Sequence, residues 1–187
     1  MRRLSGCIAT YDMSNLQDIR VIALDVDGVL TDGSISFCPS SKQEMKSFHV
    51  HDGLGISIWM KAGNAVVIIS GRDAQVVSQR ATELGITHVI QGSTDKIADL
   101  QTMLNEIGAT PDQVAFVGDD LGDIPIMQHV GFSIAVSDAA EEVKEVADWV
   151  SNRKGGHGAV RESIEHIMKN AGTWVPAISR YSTEASQ

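Results

Sequence analysis

Short apolar runs alternate with helix-length segments along most of this chain, and this alternation constrains the fold more than any other feature. Runs of strand length lie at 21–26, 65–69, 87–90, 114–117 and 132–136, and segments with helical spacing lie at 53–61, 74–84, 96–107, 120–127, 140–146 and 159–169. Strands that alternate with helices pack as a parallel sheet, with right-handed crossovers that place helices on both faces. The sequence therefore predicts an α/β fold built on a doubly wound parallel sheet.

The length of the chain predicts one globular domain and no second domain. The chain has 187 residues, 43% of them hydrophobic, which suits a single domain with a substantial core. We expect this domain at 19–171, an N-terminal extension at 1–18 and a C-terminal tail at 172–187. Gly63, Gly85 and Gly108 each follow a helical segment, as is typical of C-terminal caps, and Thr94 or Asp95 is expected to cap the helix at 96–107.

The charge balance favours a small-molecule partner. The formal net charge is −9, so the sequence offers no basic surface for nucleic acid or anionic lipid. No apolar run approaches the roughly 18 residues of a membrane-spanning helix, and the N-terminus makes a poor signal peptide. The two cysteines, Cys7 and Cys38, are too far apart to suggest a zinc site, so we expect free thiols and a cytoplasmic protein.

The first predicted strand ends in carboxylates. Asp25, Asp27 and Asp32 follow or end a β-branched run that reads as a strand buried on both faces. Burying several unpaired carboxylates together would be costly, because like charges repel and burial removes their hydration. The sequence therefore predicts that these acids lie at the carboxyl end of the strand, facing a cleft that holds a cation.

Other polar residues fall at the ends of later strands and at helix starts. Ser70 and Lys96 are two of these, and Asp119 is a third. The carboxyl ends of parallel strands meet at one edge of a sheet, where ligands bind in open α/β folds. A carboxylate such as Asp25 can attack phosphorus, and Mg²⁺ removes the repulsion between the two anions. The pattern therefore predicts a phosphate site around Mg²⁺, with Asp119 as a remote metal ligand.

The hypothesis assigns a role to each of four groups around the phosphate. Asp27 turns away from the strand and is the candidate general acid and base. Ser70 and the N–H groups of the Gly71 turn are expected to donate to phosphoryl oxygens. Lys96 supplies a positive charge to the transition state.

One stretch interrupts the alternation. Residues 34–38 and 45–50 are two extended runs joined by the turn-like Pro-Ser-Ser-Lys, which predicts a β-hairpin at about 33–50. It is either a plain surface excursion or, because it lies beside the acidic strand end, a lid or an oligomer contact.

At these residues the chain resembles the haloacid dehalogenase superfamily of phosphotransferases, over about 19–168. The resemblance rests on Asp25-x-Asp27-Gly28, Ser70, Lys96 and Gly118-Asp119-Asp120, in that order. It implies that Asp25 is the nucleophile, that Asp27 is the general acid and base, and that Ser70 and Lys96 bind the phosphoryl group.

The same resemblance implies a metal shell. The magnesium ligands would be Asp25, the main-chain carbonyl of Asp27, and Asp119. Asp120 and Asp123 would support this shell or orient Lys96, although the Asp-Asp-Leu-Gly-Asp run is also typical of an acidic helix start.

Within the superfamily, the chain closely resembles the subfamily of 3-deoxy-D-manno-octulosonate 8-phosphate phosphatases, which includes phosphatases of nine-carbon sialic-acid-type sugar phosphates. The segments that carry this likeness include His-Asp-Gly-Leu-Gly-Ile, Ile-Ser-Gly-Arg and Gly-Gly-His-Gly-Ala-Val-Arg-Glu. It implies an enzyme of lipopolysaccharide biosynthesis without a large cap domain. It also implies a homotetramer in which the hairpins pack together and a neighbouring subunit closes the active site.

Two positions depart from this subfamily. His51 and His157 stand where the subfamily often has arginine, and histidine is a weaker, pH-dependent donor to a carboxylate. His51 and Arg72 are candidate substrate contacts, with surface placement equally open for Arg72. Arg161 is either a further contact or a helix partner of Glu165.

The tail and one histidine pair leave alternatives open. The tail lacks helical periodicity and is expected to be loose, unless Trp174 and Arg180 reach a neighbour's site. His49 and His51 are spaced like zinc ligands on a strand, but no third ligand accompanies them. A signalling receiver domain and an inactive scaffold are the competing functions, since a receiver also uses an aspartyl-phosphate, a hydroxyl and a lysine.

Overall fold

The structure is a computed structural model that describes the backbone of residues 13–181 and the side chains of 16–179 and 181. Residues 1–12, most of the predicted N-terminal extension with Cys7, lie outside the described residues, as do 182–187 and the side chain of Arg180. The proposed domain boundaries at 19 and 171 therefore stay predictions.

Six parallel strands form the central sheet. They are β1 (Val21–Leu24), β4 (Ala65–Ile69), β5 (His88–Ile90), β6 (Val114–Gly118), β7 (Phe132–Ala135) and β8 (Trp149–Val150), in the order β5-β4-β1-β6-β7-β8. Every residue of β1 is fully buried, as its unbroken apolar run predicts. The prediction of a parallel α/β sheet is confirmed.

Helices connect the strands. They are α1 (Val50–Lys61), α2 (Gln75–Leu84), α3 (Lys96–Ile107), α4 (Ile124–Met127), α5 (Glu141–Val146), α6 (Ala159–Asn170) and α7 (Trp174–Ile178), with 3₁₀ turns at Met13–Asp18, Pro111–Gln113, Leu121–Asp123 and Ser179–Tyr181. Asp95 caps α3 by accepting from the N–H groups of Ile97 and Ala98. Gly85 and Gly108 end their helices in the left-handed conformation, as predicted. Within residues 13–181, none of the helices has the length and apolar character needed to span a membrane.

The predicted hairpin exists but is shorter than the sequence suggested. Its strands are β2 (Ser36–Phe37) and β3 (Glu44–Met45), which pair antiparallel. Extended structure was predicted to continue to residue 50, whereas α1 already begins at Val50. The reason is local, because the side chain of His49 accepts a hydrogen bond from the N–H of His51 and caps the helix. No cap-sized domain occurs between β1 and α1, only this hairpin.

The structure also corrects the prediction of a loose C-terminal tail. Residues 172–187 were expected to be loose, but 174–178 form α7, with Trp174 buried. The ring of Trp174 lies beneath Arg161 and Lys169 of α6. Ala177 and Ile178 are also partly buried against the core, but a helix of five residues is too short to give a periodic signal. Strand β8 escaped prediction for a similar reason, since it has only two residues.

Candidate active site

The carboxyl ends of β1 and β6 meet at the point where the chain changes direction across the sheet. From β1 the chain proceeds outward through β4 and β5, then returns to place β6 on the other side of β1. Helices diverge at such a switch point and leave a crevice at the strand ends. Asp25 follows β1 and Asp119 follows β6, so the fold brings the two predicted metal ligands to one crevice.

The turn after β1 is held by a threonine that the sequence analysis did not single out. Thr31 is fully buried, and its hydroxyl donates to the carbonyl of Val26 at 3.2 Å. The same oxygen accepts from the N–H of Gly28 at 3.4 Å and from that of Gly33 at 3.3 Å. The turn therefore has a fixed course, and Asp25 and Asp27 leave it at defined positions.

Lys96 joins two carboxylates across the crevice. Its Nζ atom lies 2.7 Å from Oδ1 of Asp25 and 2.6 Å from Oδ1 of Asp123. Burial acts to lower the pKa of Lys96, but the charges of Asp25 and Asp123 outweigh it and raise that pKa. Because Asp95 caps α3 and Lys96 is its first residue, the helix start directs the ammonium group into the crevice. Lys96 is therefore charged throughout the physiological pH range.

The two aspartates after Asp119 occupy different environments. Asp123 is buried, and its Oδ2 accepts from the N–H of Asp119 at 3.0 Å and from that of Asp120 at 3.4 Å. The side chain of Asp120 is exposed and accepts from the N–H of Leu121 at 2.8 Å, as an ordinary cap. The structure therefore brings Asp123, and not Asp120, to Lys96.

Three carboxylates form a cluster that suits a hard cation. Asp25, Asp119 and Asp123 each offer one oxygen, and these atoms all lie within 4.8 Å of one another. Oδ1 of Asp119 is buried without a hydrogen-bond partner. Oxygen ligands of this kind are those that Mg²⁺ prefers. A buried carboxylate oxygen without a partner, beside two other carboxylates, therefore fits a divalent cation as its ligand.

The pKa values in this cluster reflect the crowding of its negative charges. Burial, followed by the charge of Asp123, raises the pKa of Asp25 to about 6, although Lys96 opposes the shift. Burial and the charges of Asp25, Asp123 and Asp120 raise the pKa of Asp119 to about 8. Without a cation, Asp119 therefore keeps its proton to a higher pH than an ordinary carboxyl group does.

The segment after β4 supplies Ser70, Gly71 and Arg72. Ser70 is buried directly after β4, the strand next to β1, and its Oγ accepts from the N–H of Arg72 at 3.3 Å. Gly71 is exposed at the turn. The Arg72 side chain is 46% exposed, with its Nε 3.5 Å from Oδ2 of Asp27 and its Nη2 3.0 Å from Oε2 of Glu44. Arg72 is therefore close to the crevice and still accessible to a ligand.

Lys46 is the principal residue that the sequence reading missed. It lies just after β3 of the hairpin and binds Oδ1 of Asp27, while its Nζ is 2.8 Å from Oε1 of Glu44. Glu44 and Lys46 are two residues apart, so they face the same side of the extended chain, opposite to the exposed Met45. This alternation of charged and apolar residues was the available signal for an inward-facing pair.

The histidines do not join the carboxylate cluster. His51 is exposed, and its ring packs edge-on against that of His49 at 4.9 Å between centroids. Nδ1 of His157 lies 2.8 Å from the carbonyl oxygen of Gly155. Across the described side chains, only the aspartate cluster gathers three metal-ligand candidates, and His49 and His51 are not part of it. Arg161 pairs with Glu165 at 2.6 Å, as its helical spacing suggested.

Known proteins resemble this chain in both sequence and fold. The family model of the haloacid dehalogenase-like hydrolases matches residues 81–162. The 3-deoxy-D-manno-octulosonate 8-phosphate phosphatase KdsC of Salmonella typhi is 41% identical over 87% of this chain and 86% of its own. The crystal structure of the phosphatase of that name from Yersinia pestis has a TM-score of 0.83 at 40% identity, covering 86% of both chains.

A further relative was crystallised with ligands. The 3-deoxy-D-manno-octulosonate 8-phosphate phosphatase of Moraxella catarrhalis, in complex with a magnesium ion, a phosphate ion and a KDO molecule, has a TM-score of 0.87 at 36% identity. The alignment covers 91% of this chain and 97% of that one. Identity at this level over nearly the full length, on the same fold, establishes the relationship. The chain is a phosphomonoesterase that belongs to the haloacid dehalogenase-like hydrolases, in the family of the 3-deoxy-D-manno-octulosonate 8-phosphate phosphatases.

Proposed function

We propose that this enzyme hydrolyses 3-deoxy-D-manno-octulosonate 8-phosphate, with Mg²⁺ as cofactor and through an aspartyl-phosphate on Asp25. The observation that carries the proposal is the carboxylate cluster at the switch point, in which Lys96 bridges Asp25 and Asp123 beside the unpartnered Oδ1 of Asp119. The names of the Salmonella typhi and Moraxella catarrhalis relatives support the substrate.

The residues that would hold Mg²⁺ are Asp25, Asp119 and the main-chain carbonyl of Asp27. When bound, Mg²⁺ neutralises part of the carboxylate charge and polarises a phosphoryl oxygen. The magnesium complex of the Moraxella catarrhalis phosphatase supports Mg²⁺ as the ion. Asp123 would act indirectly, because its two oxygens are already occupied by Lys96 and by the N–H groups of Asp119 and Asp120.

The reaction proceeds in two steps at these side chains. An oxygen of Asp25 forms a bond to phosphorus while the bond from phosphorus to the sugar oxygen breaks, and Asp27 gives its proton to that leaving oxygen. Asp27 then takes a proton from water as the water attacks phosphorus, which releases phosphate and restores Asp25. Ser70, the N–H of Gly71 and Lys96 bind the phosphoryl oxygens and stabilise the charge that develops on them.

Sugar recognition depends on groups around the crevice. Arg72 is a cation beside the crevice with accessible surface, so we assign it the carboxylate of the sugar acid. His51 and His157 are secondary candidates, in the places where the subfamily often has arginine. Exposed apolar side chains on the hairpin, Ile35, Phe37 and Met45, support its packing in a homotetramer. The cytoplasmic location stays a prediction.

The test is steady-state hydrolysis with purified protein and Mg²⁺. We expect many turnovers of phosphate release from 3-deoxy-D-manno-octulosonate 8-phosphate, and a lower kcat/KM for nine-carbon sugar-acid 9-phosphates and for glucose 6-phosphate. Asp25→Asn should abolish turnover, and Asp27→Asn should reduce kcat/KM by about 10²–10⁴-fold. One stable phosphorylation without turnover would instead indicate a receiver domain, and activity that survives both substitutions would refute the mechanism.

A further inference from the structure

A buried lysine connects the hairpin to the proposed general acid. Lys46 is the residue after β3, and its side chain has no exposed surface. Its ammonium group binds Oδ1 of Asp27 and lies 2.8 Å from Oε1 of Glu44. The contact with Asp27 spans 19 positions in the sequence, so the fold of the hairpin creates it.

Lys46 belongs to a closed set of four charges. Glu44 also pairs with Nη2 of Arg72 at 3.0 Å, and Nε of Arg72 lies 3.5 Å from Oδ2 of Asp27. The charges of the two carboxylates and the two cations therefore balance. A buried ammonium group that lost its partners would carry a large desolvation cost, so Lys46 remains on Asp27 and Glu44. Arg72, which is half exposed, is the member that can turn to a substrate.

We propose that Lys46 is a positioning residue for Asp27. By holding Oδ1, it leaves Oδ2 as the oxygen that carries the proton for the leaving group. The hairpin then contributes to proton transfer through this contact, in addition to any part it has in subunit packing. This inference rests on the proposed function, because it takes Asp27 as the general acid.

The position of Asp27 should matter most when the leaving oxygen needs a proton. A sugar alkoxide is a strong base and must be protonated as the bond to phosphorus breaks, whereas p-nitrophenolate leaves without a proton. A misplaced Asp27 therefore slows release of the sugar and has little effect on p-nitrophenyl phosphate. The constant to compare is kcat/KM, because it reports the steps up to the first bond cleavage.

The experiment compares Lys46→Met with wild type on both substrates, using one preparation of each protein. We expect kcat/KM for 3-deoxy-D-manno-octulosonate 8-phosphate to fall by about 10-fold or more, and that for p-nitrophenyl phosphate to fall by less than about threefold. The ratio of the two constants does not depend on the fraction of folded enzyme. If Lys46→Met yields no protein, Lys46→Gln serves in its place.

Two controls complete the design. Lys46→Arg keeps the charge and should restore most of the wild-type ratio, whereas a ratio as low as that of Lys46→Met counts against positioning by a cation. Lys42→Met removes an exposed lysine from the turn of the same hairpin and should leave both constants unchanged. Equal losses on both substrates, or no loss, would overturn the inference. Wild-type protein that hydrolyses neither ester would instead refute the proposed function.

Discussion

The carboxylate of Asp119 lies directly against the backbone of Gly28. A Cβ atom placed on Gly28 would come within 2.0 Å of Oδ2 of Asp119, and the glycine has a φ of +86°. Both facts exclude a side chain at this position, because the left-handed conformation and the close approach each favour glycine. The turn after β1 and the end of β6 therefore define each other's position at the switch point.

Substitution of Gly28 should reduce activity because it moves a metal-ligand candidate. Gly28→Ala must displace Asp119, and a shift of about 1 Å in a reacting site can cost about 10²-fold in rate. We expect phosphatase activity to fall by about that factor and Mg²⁺ affinity, measured by calorimetry, to weaken.

Gly63 provides a matched control at the opposite end of the strands, just before β4. Its φ is +89°, and a Cβ there would have no neighbour within 4 Å. Gly63→Ala should lower the free energy of unfolding by about 1–2 kcal/mol, the strain of the left-handed conformation, and leave activity unchanged. Normal activity in Gly28→Ala would show that the contact with Asp119 does not matter.

The metal-free enzyme should lose stability as the pH rises. The pKa of Asp119 is raised from its usual 3.8 to about 8, so between these values the folded state holds a proton that the unfolded state has released. Stability falls with pH wherever the folded state binds more protons, and Asp25, raised to about 6, acts in the same direction. We expect the urea midpoint in EDTA to decrease from pH 5 to pH 8.5.

Magnesium and an isosteric variant identify the source of this slope. Mg²⁺ binds the ionised carboxylates, so it should stabilise the protein more at pH 8.5 than at pH 5. Asp119→Asn removes the titrating group, so the variant should show a shallower slope in EDTA and little response to Mg²⁺. The explanation fails if this variant keeps the full wild-type slope.

Asp120 and Asp123 lie in one loop, but their substitution should affect activity to very different degrees. One oxygen of Asp123 accepts from Lys96, and the other accepts from backbone N–H groups. Asp123→Asn replaces one of these oxygens with an NH₂ donor, so at least one of the contacts is lost. We expect kcat/KM for the sugar-acid phosphate to fall by about 10²-fold. Asp120→Asn keeps an oxygen for the N–H of Leu121 and should cost less than about threefold. Equal losses would contradict the separation that the structure shows.

Sequence patterns predicted the parts of the site that follow from strand order. Asp25, Ser70 and Asp119 each follow a buried apolar run, and parallel strands deliver their carboxyl ends to one edge. Lys96 was predictable because a cap at Asp95 marks the start of its helix. The sheet and the location of the site therefore needed only local patterns and one topological rule.

Contacts that depend on how elements pack could not be predicted in this way. The pairing of Lys46 with Asp27 needs the hairpin to fold back over the strand end, and no periodic pattern encodes that direction. The distinction between Asp120 and Asp123 arises from the course of a single 3₁₀ turn. Helix α7 likewise depends on a tertiary contact rather than on its own propensity.

That tertiary contact yields the last prediction. Trp174 is 7% exposed, and its ring centroid lies 5.1 Å from Cζ of Arg161 and 5.6 Å from Nζ of Lys169, within the range of cation–π attraction. Trp174→Ala should therefore lower the free energy of unfolding in urea by about 3 kcal/mol, as is typical of a buried aromatic residue. Val175→Ala, at a side chain that is 73% exposed, should change it by less than about 0.5 kcal/mol. If the two variants are equally stable, burial of Trp174 does not stabilise the fold.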